Sequence, residues 1–196
     1  VAVTGIYLFI FFDTGVTDAY ASVAWLSRDH WWHAGVARSL HRYASDLMVV
    51  VMFTHLIREW AMDRYRGSRW FSWVTGVPVI WFVYLSGITG YWLVWDALAQ
   101  YVAITTSDLL DALPLFGEPI ARNFLDQASV SDRFFTLMVF IHIAAPLLML
   151  LFMWVHIQRY NYALVNPALK LMIGTGAGFL LLSLVSPALS QAPANL

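Results

Sequence analysis

The chain has 196 residues, of which 60% are hydrophobic and 12% charged, with a formal net charge of −1. A mean hydropathy of +0.66 excludes an ordinary soluble globule, where about a quarter of residues are charged, and no basic tract suggests nucleic acid. The absence of cysteine excludes disulfides, zinc ribbons, cysteine-held iron–sulfur clusters and any cofactor attached through thioether bonds within this chain.

The composition predicts an all-α integral membrane protein in the lipid bilayer. The opening run, Val1 to Phe12, has no basic n-region and is too short to cross a bilayer alone,. It reads as the second half of a helix. A polar, aromatic connection follows from Thr14 to about His33. The second span is predicted from about Val36 to Trp60, and the third from about Trp73 to Trp95, after the loop DRYRGSR. The connection Asp96 to Arg133 interleaves apolar residues with carboxylates and is expected to hold short amphipathic surface helices. A fourth span is predicted from about Phe134 to Tyr160. Asn166-Pro167 punctuates, and a fifth span runs from about Leu169 to Ser186. The expected units are a bundle over residues 1–167 and an additional C-terminal helix and tail over 168–196.

Charge sets the orientation. The loop after the second span holds Arg58, Arg64, Arg66 and Arg69, and the connection after the fourth holds Arg159 and Lys170. Both basic loops belong on the cytoplasmic side. The other connections lean acidic. Strict alternation then makes the second and fourth spans parallel.

Those two spans carry the chemistry. His41 and His55 lie 14 positions apart, as do His142 and His156. Fourteen residues of helix rise ~21 Å and return to within ~40° of the same face. Each span therefore offers one imidazole near each edge of a hydrocarbon layer ~30 Å thick. Parallel spans pair His41 with His142 on the outer side and His55 with His156 on the cytoplasmic side. Two tiers of facing histidines are a scaffold for two haems stacked across a membrane, each iron held from both sides. A single histidine in a span is more often a packing residue, but two pairs at one spacing are not explained that way.

Arg38 precedes His41 by three residues, and Arg58 and Arg159 follow His55 and His156 by three. That offset sets a guanidinium one turn nearer water, where a haem propionate needs a cation. Arg42 is a further outer-side candidate. Gly76 and Gly90 repeat the 14-residue spacing on the third span, and Gly5 stands level with the outer tier on the first. Without side chains they would let a flat macrocycle press against the helix. Gly174, Gly176 and Gly178 read as helix-packing residues. His30 and His33 read as interfacial. Asp46, five residues past His41, points away from the haem face and needs a partner, a polar pocket or another subunit.

The stretches TG in the first span, TDAYASV, RSLHRYAS, SWVTGV, ITGYWLVWD, DALPLFG, SVSDRFF and IHIAAP resemble the N-terminal part of the cytochrome b and cytochrome b6 family over roughly Val1 to Pro167. SWVTGV and the Trp-Asp after GYWLV lean toward cytochrome b6, and the second histidine spacing toward mitochondrial cytochrome b. The resemblance implies a four-helix bundle, here with its first helix truncated, holding two non-covalent b-type haems in a complex that oxidises or reduces quinone. It implies the low-potential haem at the His41/His142 tier and the high-potential haem at the His55/His156 tier. A fifth transmembrane helix is extra relative to cytochrome b6. The family's Pro-Glu-Trp-Tyr stretch of the outer quinol pocket does not occur in the chain. Val94 stands where the family has Pro, ALAQYVAIT departs from the usual pocket residues, and Asn161 stands where an inner-side His or Arg is common.

The expected role is a dihaem electron-transfer subunit of a quinol/quinone oxidoreductase, multi-pass in an energy-transducing membrane such as the bacterial inner (cytoplasmic) membrane. The implied partners are an iron–sulfur (Rieske) protein, a c-type cytochrome or a second cytochrome b fragment, and the quinone pool. Two alternatives stand beside it. One is a haem-bearing anchor for an iron–sulfur or molybdenum oxidoreductase, and the other a haem-free structural or assembly subunit.

Overall fold

The computed structural model describes residues 1–113, 125, 130–159 and 164–195, and among them the regular structure is helical. The part of the surface connection from 114 to 124, the end of the fourth span at Tyr160, and Asn161 lie outside the described residues. In chain order the helices are α1 (Ala2–Phe9), α2 (Asp18–Arg28), α3 (Val36–Ala61), α4 (Trp70–Trp92), α5 (Ala97–Asp111), α6 (Asp132–Ile157) and α7 (Leu169–Val185). A π-turn, Trp31–Gly35, joins α2 to α3, and a 3₁₀ turn, Gly67–Arg69, leads into α4.

Caps explain where the helices differ from the hydropathy reading. Ser131 accepts from the Phe134 N–H, so α6 starts at Asp132 and takes two charged residues into its first turn,. Asp96 accepts from the Ala99 N–H and opens α5,. Trp95 turns left-handed, with φ 48°, so α4 stops three residues before the expected Trp95. Pro78 and Pro146 lie inside α4 and α6; packed neighbouring spans tolerate such breaks in the hydrogen-bond ladder.

Among the described residues, Gly67–Trp92 and Asp132–Ile157 are long and apolar enough to cross a bilayer. The 26 residues of α3 rise ~39 Å, which is also sufficient. Its two histidines, Arg38, Arg42, Asp46, Arg58 and Glu59 lower its hydropathy. The 17 residues of α7 rise ~26 Å, slightly under the hydrocarbon thickness.

The helices form two layers. α3 packs on α1 and α7, whereas α4 packs along the length of α6 and against α5. α3 and α4 meet at few points. Large side chains along the spans, such as Val50, Trp81, Phe140, Leu147 and Trp154, are exposed, as expected of surfaces that face lipid.

The tightest apolar packing lies at one end. Ala19, Trp95, Ala103 and Phe135 are buried together, with Phe12, Val16, Trp92, Leu93 and Phe134 against them. This knot joins α2, α5 and the start of α6 at the end of the bundle where α3 begins.

The tail after α7 crosses the same end. The Ser39 hydroxyl accepts from the Ala188 N–H at 2.9 Å, and the Arg38 guanidinium donates to the Ala188 carbonyl at 2.6 Å. Tyr20 donates to the Gln191 carbonyl at 2.9 Å, while the Gln191 N–H donates to the Asp96 carboxylate at 2.9 Å. Ala97 and Ala194 complete the strap through backbone bonds to Ala192 and Trp95.

Candidate functional site

α3 and α6 present their histidines to each other. The ring centroids of His41 and His142 are 6.1 Å apart, and those of His55 and His156 are 6.5 Å apart. Like ends are paired, which requires α3 and α6 to run in the same direction.

The imidazoles are aimed by the helices behind them. His142 Nδ1 lies 2.9 Å from the Ser86 carbonyl and 3.4 Å from the Thr89 hydroxyl. His41 Nδ1 lies 3.1 Å from the Val1 carbonyl and 3.3 Å from the Thr4 hydroxyl. His156 Nδ1 lies 3.2 Å from the Thr75 hydroxyl. A carbonyl only accepts, so the proton belongs on Nδ1. The three threonine hydroxyls already donate to backbone carbonyls one turn back, which leaves them to accept as well. Nε2 of these three rings then carries the free lone pair, the form in which histidine binds a metal.

Beside each of these threonines stands a glycine. A Cβ on Gly5 would come within 3.1 Å of His41 Cε1, on Gly76 within 3.3 Å of His156 Cε1, and on Gly90 within 2.7 Å of His142 Cε1. The glycines thus make room for the edges of the histidine rings, a more specific use than the broad accommodation of a macrocycle expected from spacing alone. Gly174, Gly176 and Gly178 have nothing within 4 Å of a Cβ among the described residues, so the packing expected of them is not made there.

Sequence reasoning did not single out the threonines. Their signal is nonetheless present: Ser72-x-x-Thr75-Gly76 and Ser86-x-x-Thr89-Gly90 are the same pattern at the histidine spacing of 14, and Thr4-Gly5 is its counterpart in α1.

The donor set fits bis-histidine ligation of a planar group. Metal–imidazole bonds of about 2 Å, plus roughly 1 Å from each nitrogen to its ring centre, separate axial centroids by roughly 6 Å. Both tiers meet that spacing. Among the described residues no cluster of three or more His, Cys, Asp or Glu side chains is placed to hold an ion directly.

The arginines are engaged differently from one another. Arg38 donates to the Ser27 hydroxyl and the Ala188 carbonyl, each at 2.6 Å. Both partners are neutral, so its charge is uncompensated by them. Arg42 pairs with Asp46 at 3.2 Å. Arg58 pairs with Glu59, which also faces Arg64 and Arg69 at 3.4 and 3.8 Å. Arg159 lies over the Phe71 ring, 4.4 Å from its centroid. His33 Nδ1 is 2.6 Å from the Tyr7 hydroxyl, and the His30 ring lies tilted against Trp25, centroids 3.9 Å apart.

A sequence model of the family described as Cytochrome b/b6/petB matches residues 1–163. Among solved structures, the fold is similar to a chain of a "Hyperthermophilic respiratory Complex III", with a TM-score of 0.73 at 18% sequence identity. The match covers 98% of this chain and 59% of that one, so the chain spans less than two thirds of that neighbour's length.

Proposed function

The chain belongs to the cytochrome b/b6 family, and we propose that it is the dihaem subunit of a membrane quinol/quinone oxidoreductase of the bc type, carrying electrons across the bilayer between an outer and an inner tier. The single observation that supports this most is the pairing of four histidines in two tiers whose ring separations suit one axially ligated metal each. In this reading α3, α4, α6 and α7 each cross the membrane, and α1 completes the bundle beside α3. The multi-pass protein then sits in an energy-transducing membrane, with a Rieske-type iron–sulfur protein and a c-type cytochrome as partners.

His41 and His142 would hold the outer b-type haem, and His55 and His156 the inner one. When bound, each haem supplies reversible one-electron exchange at its iron. The protein does the rest. Thr4, Thr75 and Thr89 keep the Nδ1 proton in place and so present Nε2 inward. Gly5, Gly76 and Gly90 admit the rings at the required depth. Arg38 at the outer tier, and Arg58 and Arg159 at the inner tier, would neutralise propionates near the water boundary. Two histidines offered at each tier would hold the metal from both sides, which suits electron transfer rather than oxygen binding.

The test is a haem count with a redox difference spectrum on the purified protein. Two b-type haems per chain are expected, with His41→Ala removing the outer component and His156→Ala the inner one. A preparation with no b-type signal, or variants that each retain both components, would overturn the reading.

A further inference from the structure

Asp46 is an acid within a helix that crosses the bilayer, and its partners identify what it does. Its carboxylate pairs with Arg42 one turn back at 3.2 Å. The Tyr91 hydroxyl donates to its other oxygen at 3.5 Å. The Arg42 guanidinium carbon in turn lies over the Tyr91 ring, 4.5 Å from its centroid. These three residues form a closed cluster joining α3 to α4, two helices that otherwise meet at few points.

Its position relative to the tiers is fixed by the chain. Arg42 directly follows the ligand His41, and Tyr91 directly follows Gly90, whose missing Cβ admits His142. Asp46 lies five residues inward of His41 and nine outward of His55, so it is displaced ~7.5 Å along the helix from the outer tier and ~13.5 Å from the inner. It is also rotated ~140° from His41. The carboxylate therefore does not address the ligand. It addresses the cation beside the ligand.

We infer that Asp46 is a positioning residue that holds and compensates the Arg42 charge, and so lowers the potential of a haem held at the His41/His142 tier. The inference rests on the dihaem reading above. Its physics is simple. A cation near a redox centre favours the state with one more electron, and the effect grows as distance and local dielectric fall. Arg42 left uncompensated beside His41 would raise the potential of a haem held at that tier. Paired with Asp46 and stacked on Tyr91, it contributes little net charge to the outer tier. Arg42 was expected to face an outer propionate; the structure pairs it with Asp46, whereas Arg38 on the same helix donates its hydrogen bonds to the neutral Ser27 hydroxyl and Ala188 carbonyl.

The experiment is a potentiometric titration of the haem-loaded protein in detergent, followed by its visible spectrum, on Asp46→Asn, Arg42→Gln and the double variant. Asp46→Asn is expected to raise the potential of the outer component, and Arg42→Gln to lower it. The double variant should return close to the parent, and the inner component should move less in every case. Asp46→Glu keeps the charge and should behave as the parent. Two intact components with the outer one unmoved, or both variants shifting it in one direction, would overturn the inference. Should Asp46→Asn fail to accumulate, the direction of the Arg42→Gln shift decides alone. Loss of all b-type absorbance in the parent would instead overturn the dihaem reading itself.

Discussion

A Cβ placed on Gly90 would fall 2.7 Å from Cε1 of His142, closer than a methyl group and a ring carbon can approach. α4 and α6 pack along their length, and interiors this closely packed do not give way without cost. Gly90→Ala must therefore turn the His142 ring or part the two helices. We expect the outer b-type component to be lost or strongly diminished in the difference spectrum while the inner one persists. Gly76→Ala meets His156 at 3.3 Å and should perturb the inner component less. Gly176→Ala, with open space around it, should change neither.

The histidine tiers were legible because both pairs share one spacing. Two pairs at 14 residues, on helices made parallel by their loop charges, leave one sensible pairing, and His41/His142 and His55/His156 face each other in the structure. The ends of the spans were less legible. Hydropathy trims charged first turns, so Asp132 and Arg133 were assigned to the connection although Ser131 caps a helix that contains them. Trp95 looks like the last residue of an apolar span, but its left-handed backbone belongs to the corner before α5. Arg42 and Asp46 stand at the i,i+4 spacing that favours an ion pair, and the reading of Arg42 as a propionate partner hid that simpler match. The C-terminal strap left no trace in the sequence, because most of its bonds reach backbone groups, which every residue carries.

The threonine hydroxyls give a second prediction. Thr89 Oγ1 and the Ser86 carbonyl share the Nδ1 proton of His142. Thr89→Val keeps the shape and removes one acceptor. Outer-shell partners of this kind typically alter metal affinity by about 10–100-fold. Thr89→Val should weaken retention of the outer component, and Thr75→Val that of the inner one, in a haem-extraction assay. Thr89→Ser should retain the parental value. Equal loss from both tiers in either variant would show that the hydroxyls act on the fold and not on their own histidine.

Asp96 joins two structures that are distant in sequence. One oxygen caps α5 through the Ala99 N–H, and the other accepts from the Gln191 N–H of the strap. The residue is only 5% exposed, so its loss strands both donors. Removing an N-cap alone costs about 0.5–2 kcal/mol, and an unsatisfied buried donor about 1–3 kcal/mol more. Asp96→Ala should lower the thermal midpoint and open the 187–195 segment to proteolysis, with cleavage there preceding any cleavage of the spans. Ser39→Ala, which removes the acceptor for Ala188, should act in the same direction and more weakly. A tail that stays protected in both variants would mean that the apolar knot around Trp95 holds it without these bonds.

The loop between α3 and α4 provides the test of orientation. Asp63 pairs with Arg66 at 2.7 Å, and Glu59 gathers Arg58, Arg64 and Arg69. The Arg66 hydrogen bond holds the Asp63 carboxyl below its usual range, so the loop keeps its charges at neutral pH. Four arginines against two acids leave it net basic, and such loops stay on the cytoplasmic side during insertion. The connection between α1 and α3 carries a single basic residue, Arg28, beside Asp13, Asp18 and Asp29, so it has no comparable retention signal,. Because the chain lacks cysteine, one introduced thiol is a unique reporter. Ser68→Cys should resist a membrane-impermeant maleimide in intact cells and react in inverted vesicles, whereas Thr14→Cys should do the reverse. The same side for both would mean that α3, the long helix between the two sites, does not cross the bilayer.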